Sequence, residues 1–214
     1  MRNIVSPLVI GFLVLTAGNA VATEEAKYSV AVQQDKLEVR DYEPSIVAEV
    51  IVDDSFEDAS NAAFRTLFNY ISGDNTGRSK IAMTAPVAQQ PAPQKIAMTA
   101  PVGQRKSEDG WAVSFMMPAS YTMDTVPLPS DPRVALRAVP AYRAAAIRYS
   151  GTWSEKSYRK HLSRLQEWMA AENLEAAGEP VWARYDAPFV PWFMRRNEIL
   201  IAIHARPALS QLAK

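Results

Sequence analysis

The chain contains no cysteine and only two histidines, His161 and His204, in 214 residues. The missing thiol excludes a disulfide framework, a lipid-modified cysteine at an export site, a C-x-x-C-H heme attachment and thiol catalysis. Neither histidine has a recognisable serine or acid partner in the sequence, and there is no glycine-rich phosphate loop. No nucleophile–base or nucleotide signature therefore appears, and an enzymatic role is not indicated. An excess of either charge is missing too: 23 basic groups balance 23 acidic ones. A surface built for a polyanion would be basic, so nucleic acid is not expected as a partner.

What is present suits a globular domain with a full core: 48% of residues are hydrophobic and 21% charged. The N-terminus is of a different material. Arg2 is followed by an apolar run, Ile4–Leu15, too short for a comfortable membrane span of about 20 residues. Ala20-Val21-Ala22 then gives an A-x-A pattern before polar Thr23-Glu24-Glu25. This is the layout of a secretory signal peptide, with cleavage expected after Ala22, Ala20 as the second choice, and an uncleaved anchor as the alternative. Export to the periplasm or medium follows, with one domain over residues 23–214 and no integral membrane association after cleavage. Cleavage would remove Arg2 alone among charged residues, leaving 22 basic groups against 23 acidic.

Hydrophobic periodicity lays out the domain. Leu37–Tyr42 alternates as a half-buried strand, and Ile46–Val52 is a β-branched strand after the Glu43-Pro44-Ser45 turn. From about 55 to 72 the period becomes helical, with Phe56, Ala59, Ala63, Phe64, Leu67, Phe68 and Ile71 three and four apart. Ser55 with Asp58 forms a capping box in acidic form, and Gly73 stands where a helix would end. The pattern returns 97 residues on: Arg40 falls on Arg137 and Ala48 on Ala145, within strands Val134–Val139 and Ala144–Tyr149. A second helix is expected over Ser154–Asn173 on the stripe Tyr158, Leu162, Leu165, Met169. Trp111–Met117, Val181–Tyr185 and Glu198–His204 complete the strands. The chain reads as a duplicated β-β-α-β unit, an α+β fold.

One phrase, Lys-Ile-Ala-Met-Thr-Ala-Pro-Val, occurs at Lys80–Val87 and again at Lys95–Val102. Alternation places Met83 and Met98 on a core face, where methionine fills gaps. A thioether ligates heme iron chiefly beside a histidine. Proline is tolerated at a sheet edge, so a local duplication of one fitting strand accounts for the copies.

Together, Leu37–Pro44, Tyr70-Ile71-Ser72-Gly73, the M-T-A-P-V phrase, Val113–Pro118, Gly151 and Arg195-Arg196-Asn197-Glu198 resemble the SOUL family of heme-binding proteins. The resemblance implies a distorted β-barrel flanked by two helices, pseudo-twofold in plan. It also implies noncovalent binding of heme or another tetrapyrrole against the first helix, in a carrier, scavenger or buffer role. Carried over residue by residue, the apolar floor falls on Phe64 and Phe68. The family's basic positions fall on Asn61, Asn69 and Val190, all neutral; Arg65, the only cation on this helix, is not at a matching position. Ordinary helix-to-sheet packing is the competing account of Phe64 and Phe68.

His161, among Arg159, Lys160 and Arg164, reads as part of a protruding basic face, and His204 as a strand-end residue; both are weak metal candidates. The apolar loop Pro188–Met194, with Trp192 at its centre, either lines a pocket mouth or closes the barrel end. Arg195 and Arg196 are candidates to pair a ligand carboxylate or a neighbouring strand. The alternatives to heme are another small hydrophobic ligand, or an enzyme acting on tetrapyrroles or lipids.

Overall fold

The computed structural model describes residues 23–77 and 92–204. Residues 1–22, where a signal peptide is expected, and the first copy of the repeated phrase lie outside the described residues.

The first half opens with β1 (Glu24–Glu25), β2 (Tyr28–Gln34), β3 (Leu37–Tyr42) and β4 (Ser45–Val52). Helix α1 (Phe56–Ser72) follows. Ser55 caps it, its Oγ accepting from the Asp58 N–H at 3.1 Å and donating to the Asp58 carboxylate at 2.8 Å. Gly73, at φ +128°, ends it in a conformation that L side chains rarely adopt. Then come β5 (Asn75–Thr76), β6 (Thr99–Ala100), β7 (Val102–Ser107), β8 (Gly110–Met116) and β9 (Leu128–Pro129). The second half repeats the plan with β10 (Ala135–Val139), β11 (Tyr142–Tyr149), α2 (Glu155–Ala171), β12 (Val181–Arg184) and β13 (Asn197–Ala202). The expected offset places β4 on β11 end to end.

Nine strands form one antiparallel, curled sheet in the order β10-β4-β8-β7-β12-β13-β11-β3-β2. Leaving out β2, the order is unchanged when each strand is exchanged for its counterpart in the other half. The halves swap their first strands: β3 pairs with β11 and β10 with β4. They meet at β7 and β12, where Gln104 stands opposite Trp182, with Arg105 opposite Val181 and Gly103 opposite Ala183. A pseudo-twofold axis therefore passes through the Gln104–Trp182 pair.

Alternation gives the sheet two faces with different work. Both helices cover the same one. α1 packs on β4 and β8 through Ala63, Leu67 and Tyr70 against Ala48, Val50, Val113 and Phe115. α2 packs on β11 and β13 through Tyr158, Leu165 and Met169 against Ala145, Ile147, Ile199 and Ile201. Leu162 is partly buried on the same stripe, and Trp168 joins it.

The opposite face carries the ions. Arg40 and Glu198 are fully buried. The Arg40 guanidinium donates to Glu198 at 2.6 Å and 3.3 Å, to Glu38 at 2.6 Å and to the Tyr42 hydroxyl at 3.0 Å. Arg196 and the Tyr185 hydroxyl also donate to Glu198, each at 3.0 Å. Burial alone would raise the Glu198 carboxyl, but the Arg40 bond and charge, then Arg196 and Tyr185, outweigh it and hold it below the usual carboxylate range. A carboxyl depressed in the folded state stabilises above its unfolded pKa, and that stability is lost as pH falls through the folded value.

Arg40→Met should therefore cost ~3 kcal/mol in urea unfolding, at the low end for a broken buried pair because Arg196 and Tyr185 still hold Glu198. Arg40→Met with Glu198→Met should recover part of that loss. Glu198→Gln should flatten the acid limb of stability below about pH 4; an unchanged limb would show that Glu198 does not carry it.

Candidate functional site

Helix α1 is amphipathic in an incomplete way. Its sheet side is buried, yet two large apolar side chains face outward: Phe64 is 40% exposed and Phe68 45%. Their ring centroids lie 5.9 Å apart and within 12° of parallel, and the Phe64 and Phe115 rings meet in a T-shaped pair at 5.3 Å. Together they form a part-open apolar ring pair on the helix surface. Phe64 keeps a contact with the buried Phe115 ring, while Leu67 and Ala63 fill the space against the sheet at full burial.

Spacing of three and four along a helix aligns Asn61, Phe64, Arg65 and Phe68 in one stripe, with Asn69 beside it. Asn61, Arg65 and Asn69 are all exposed. Below Phe68 the stripe ends in a recess of about 580 Å³, lined also by Ile71, Ser72, Lys95, Ile96 and Met98. The second copy of the repeated phrase thus reaches the site. Ile96 is buried and its N–H bonds the Ile71 carbonyl at 2.7 Å, which fixes the segment under the helix end.

Two expectations about this phrase need correction. It is not a continuous strand: Lys95–Met98 is irregular, Thr99–Ala100 pairs with β1, and after Pro101 Val102 opens β7. Met98 is 41% exposed rather than in the core, because without a strand there is no alternation to turn it inward. Lys95 and Met98 are the residues that sequence reasoning did not assign to the site. The signal was the phrase itself, a motif placed just after the helix.

The remaining candidates lie elsewhere. His161 sits on α2, half-buried, its ring stacked on Tyr149 at 3.8 Å and its Nδ1 bonded to the Ser157 carbonyl at 2.8 Å. Desolvation, foremost, lowers its pKa, so it is neutral at pH 7 rather than part of a protruding cationic face. His204 is exposed beyond β13. Among the described residues no group of three His, Cys, Asp or Glu side chains is placed to hold a metal ion.

The loop 188–194 holds its large apolar side chains out toward solvent. Phe189 is 87% exposed, Trp192 58%, Phe193 61% and Met194 66%, with Val190 half-buried behind them. Arg195 pins this loop through the carbonyls of Val190 and Pro188, at 2.7 Å and 2.6 Å, while Arg196 makes the ion pair with Glu198 and a second with Glu25.

A family model for SOUL heme-binding protein matches residues 23–202. The chain belongs to this SOUL family. No curated protein matches it by sequence. Among solved structures, this SOUL protein is similar to the C-terminal domain of EcmrR (TM-score 0.53, 12% identity, covering 83% of this chain and 98% of that one). It is also similar to an uncharacterized conserved protein from Listeria innocua (TM-score 0.52, 12% identity, 81% and 94% covered). At such identities the likeness shows the fold alone. Among the described residues, no helix of the SOUL protein is long and apolar enough to cross a membrane.

Because the outward faces of Phe64 and Phe68 are already in water, truncating either to alanine should cost less than ~2 kcal/mol, against ~3–5 kcal/mol for a core phenylalanine. Urea denaturation of the two single variants measures this directly. A core-sized loss would return them to the packing account.

Proposed function

We propose that this SOUL protein binds heme or a related flat tetrapyrrole noncovalently on the outer face of α1, as a carrier or buffer in an exported compartment. The observation that carries the reading is the pair of parallel, half-exposed rings of Phe64 and Phe68. A macrocycle laid on them would bury apolar surface on both partners and stack in offset fashion. The neighbouring recess offers Lys95 for a propionate, a cation that Asn61, Asn69 and Val190 do not supply. Met98 is the sulfur at that recess. The residues thus fit the group as a floor and an acid anchor, and neither His161 nor His204 stands in the recess. Heme, when bound, supplies an iron whose chemistry is the cofactor's own; the chain's part is to hold and cover one face.

The export half of the proposal rests on the charged, apolar and A-x-A order of residues 1–22. The uncharged Asn61 and Asn69 favour a second reading, a hydrophobic ligand without acid groups on the same face.

Titrating the mature protein with hemin decides between them. A Soret shift at roughly micromolar hemin is expected. Phe64→Asp with Phe68→Asp should abolish it, while circular dichroism confirms the fold. Lys95→Glu should weaken it, and His161→Ala and His204→Ala should leave it unchanged. No shift at tens of micromolar would sink the heme reading and leave the ring pair to an uncharged ligand.

A further inference from the structure

The sheet face without helices holds a second recess, of about 310 Å³, astride the pseudo-twofold axis. Its floor is Gly103 and Arg105 from β7 with Val181 and Ala183 from β12. The axis exchanges Gly103 with Val181 and Arg105 with Ala183. The recess is therefore built by the duplication, and it lies on the opposite side of the sheet from Phe64 and Phe68.

Its two sides are chemically unlike, which the symmetry of the backbone does not require. On the β4 side, Arg105 of β7 and Arg137 of the exchanged strand β10 line it and share one carboxylate behind them, Glu49: Arg105 Nη2 bonds both Glu49 oxygens, at 2.9 Å and 3.1 Å, and Arg137 Nη2 bonds Oε2 at 3.2 Å. On the β11 side, the counterpart of Arg105 is Ala183, and the counterpart of Arg137 is Arg40 of the exchanged strand β3, which is turned into Glu198. That side is instead a wall of Tyr42, Tyr142 and Tyr185, the first two stacked at 5.0 Å and 9°. Burial, foremost, raises all three phenols, so they stay neutral. The recess continues into another of about 610 Å³, with which it shares Ala26, Tyr42, Ser45, Met116, Val139 and Tyr142.

An apolar, aromatic trough with cations at one side takes an amphipathic molecule. The sign of its head group follows from the bonds already made. Each guanidinium gives only its Nη2 to Glu49, so Nε and Nη1 of both face no acceptor among the described residues. An anionic oxygen can join this cluster without breaking a bond, and Arg105 and Arg137 side chains keep 32% and 45% of their surface open to receive it. A cation would have to take Glu49 from two arginines. One other carboxylate, Glu179, reaches this recess, and Glu24, Glu25, Glu43 and Lys27 line its continuation; Glu25 is paired with Arg196, Glu24 accepts from the Ala119 N–H, and the exposed Glu43 and Glu179 are screened by solvent. The volume falls near the lower end of the roughly 300–1,000 Å³ of ligand pockets, and the continuation leaves room for a chain.

We propose that the face of the sheet away from the helices is a second binding site, taking an amphipathic monoanion, an apolar chain or ring system with one carboxylate, whose head group lies on Arg105 and Arg137. This site is independent of the tetrapyrrole surface on α1.

The test titrates the full mature protein with cis-parinaric acid, a fluorescent polyene carboxylate, in parallel with its methyl ester and with cetyltrimethylammonium as competitor. The acid should bind at least roughly tenfold more tightly than the ester, as expected for a charge-assisted bond, and the ammonium should compete poorly. Arg137→Gln should weaken the acid about tenfold and Arg137→Lys much less. Val139→Trp, at the junction of the two recesses, should exclude acid and ester alike. Phe64→Asp with Phe68→Asp should leave parinarate binding intact, and Arg137→Gln should leave hemin binding intact. Equal affinity for acid and ester, equal competition by the ammonium, or insensitivity to both Arg137→Gln and Val139→Trp would overturn the proposal.

Discussion

The structure turns on one residue pair, Gln104 opposite Trp182, where the two halves meet. Both are fully buried. The Gln104 amide donates to the Phe56 carbonyl at 2.8 Å and accepts from Ser60 at 2.7 Å and Arg184 at 3.2 Å. One side chain thereby fixes the first turn of α1 to β7 and to β12. Trp182 stacks on Phe56 at 4.6 Å, and Phe56 on Tyr158 at 5.0 Å, so the start of each helix is seated on the same aromatic cluster. A buried amide is costly unless satisfied, and here its oxygen and nitrogen both have partners. Arg184 closes the arrangement over the Trp182 ring at 3.8 Å; burial, foremost, lowers its pKa to about 10, which still leaves it charged at neutral pH. With the axis pinned there and the first strands exchanged, neither half keeps a complete sheet of its own.

Concentrating both helices on one face leaves the other to its own side chains, a small cluster of Tyr42, Ala144, Ala146, Ala183 and Leu200 with the ions beside it. To that packing Arg40, Glu198 and Arg196 add charge-assisted bonds of fixed direction. Buried pairs of this kind seldom add net stability over apolar residues, but they specify geometry. Here they hold β3, β13 and the segment before it in register, and Arg196 reaches Glu25 to bring β1 to the same edge. The duplicated position in the second half, Arg137, is free of that task and stays partly open to solvent. Duplication supplied two equivalent arginines; the different carboxylates beside them made one structural and left the other at a cavity.

Local signals were strong where an element's pattern depends on its own residues. The Ser55–Asp58 cap, Gly73 and the stripe of α1 gave its ends to within a residue, and the 97-residue offset set β4 on β11. The exchange of β3 and β10 between halves was not legible, since pairing at that separation depends on neither strand alone. β2 escaped notice because Tyr28–Gln34 is almost wholly exposed and is interrupted by a bulge between Val30 and Val32, so its alternation marks no core. His161 was misplaced for the converse reason: the residue that covers it, Tyr149, comes from another strand. Phe64 and Phe68 were identified on the helix, but whether they face sheet or solvent depends on how α1 is rotated over β4 and β8.

The repeated phrase joins these threads. Its second copy is held at both ends of a short span: Ile96 under the last turn of α1, and Thr99, whose hydroxyl donates to the Met116 carbonyl at the end of β8. Between these anchors Ala97 and Met98 stand exposed at the recess below Phe68. Immediately after them Pro101 and Gly103 enter the floor and wall of the opposite recess. A segment of nine residues, Lys95–Gly103, therefore touches both candidate surfaces, one through its irregular part and one through its strand. Its sequence is constrained by helix packing, by β-pairing and by two cavities at once, which is more than a single alternating strand would demand. That combination explains why the phrase identifies the fold so specifically while no one of its side chains needs to be a ligand.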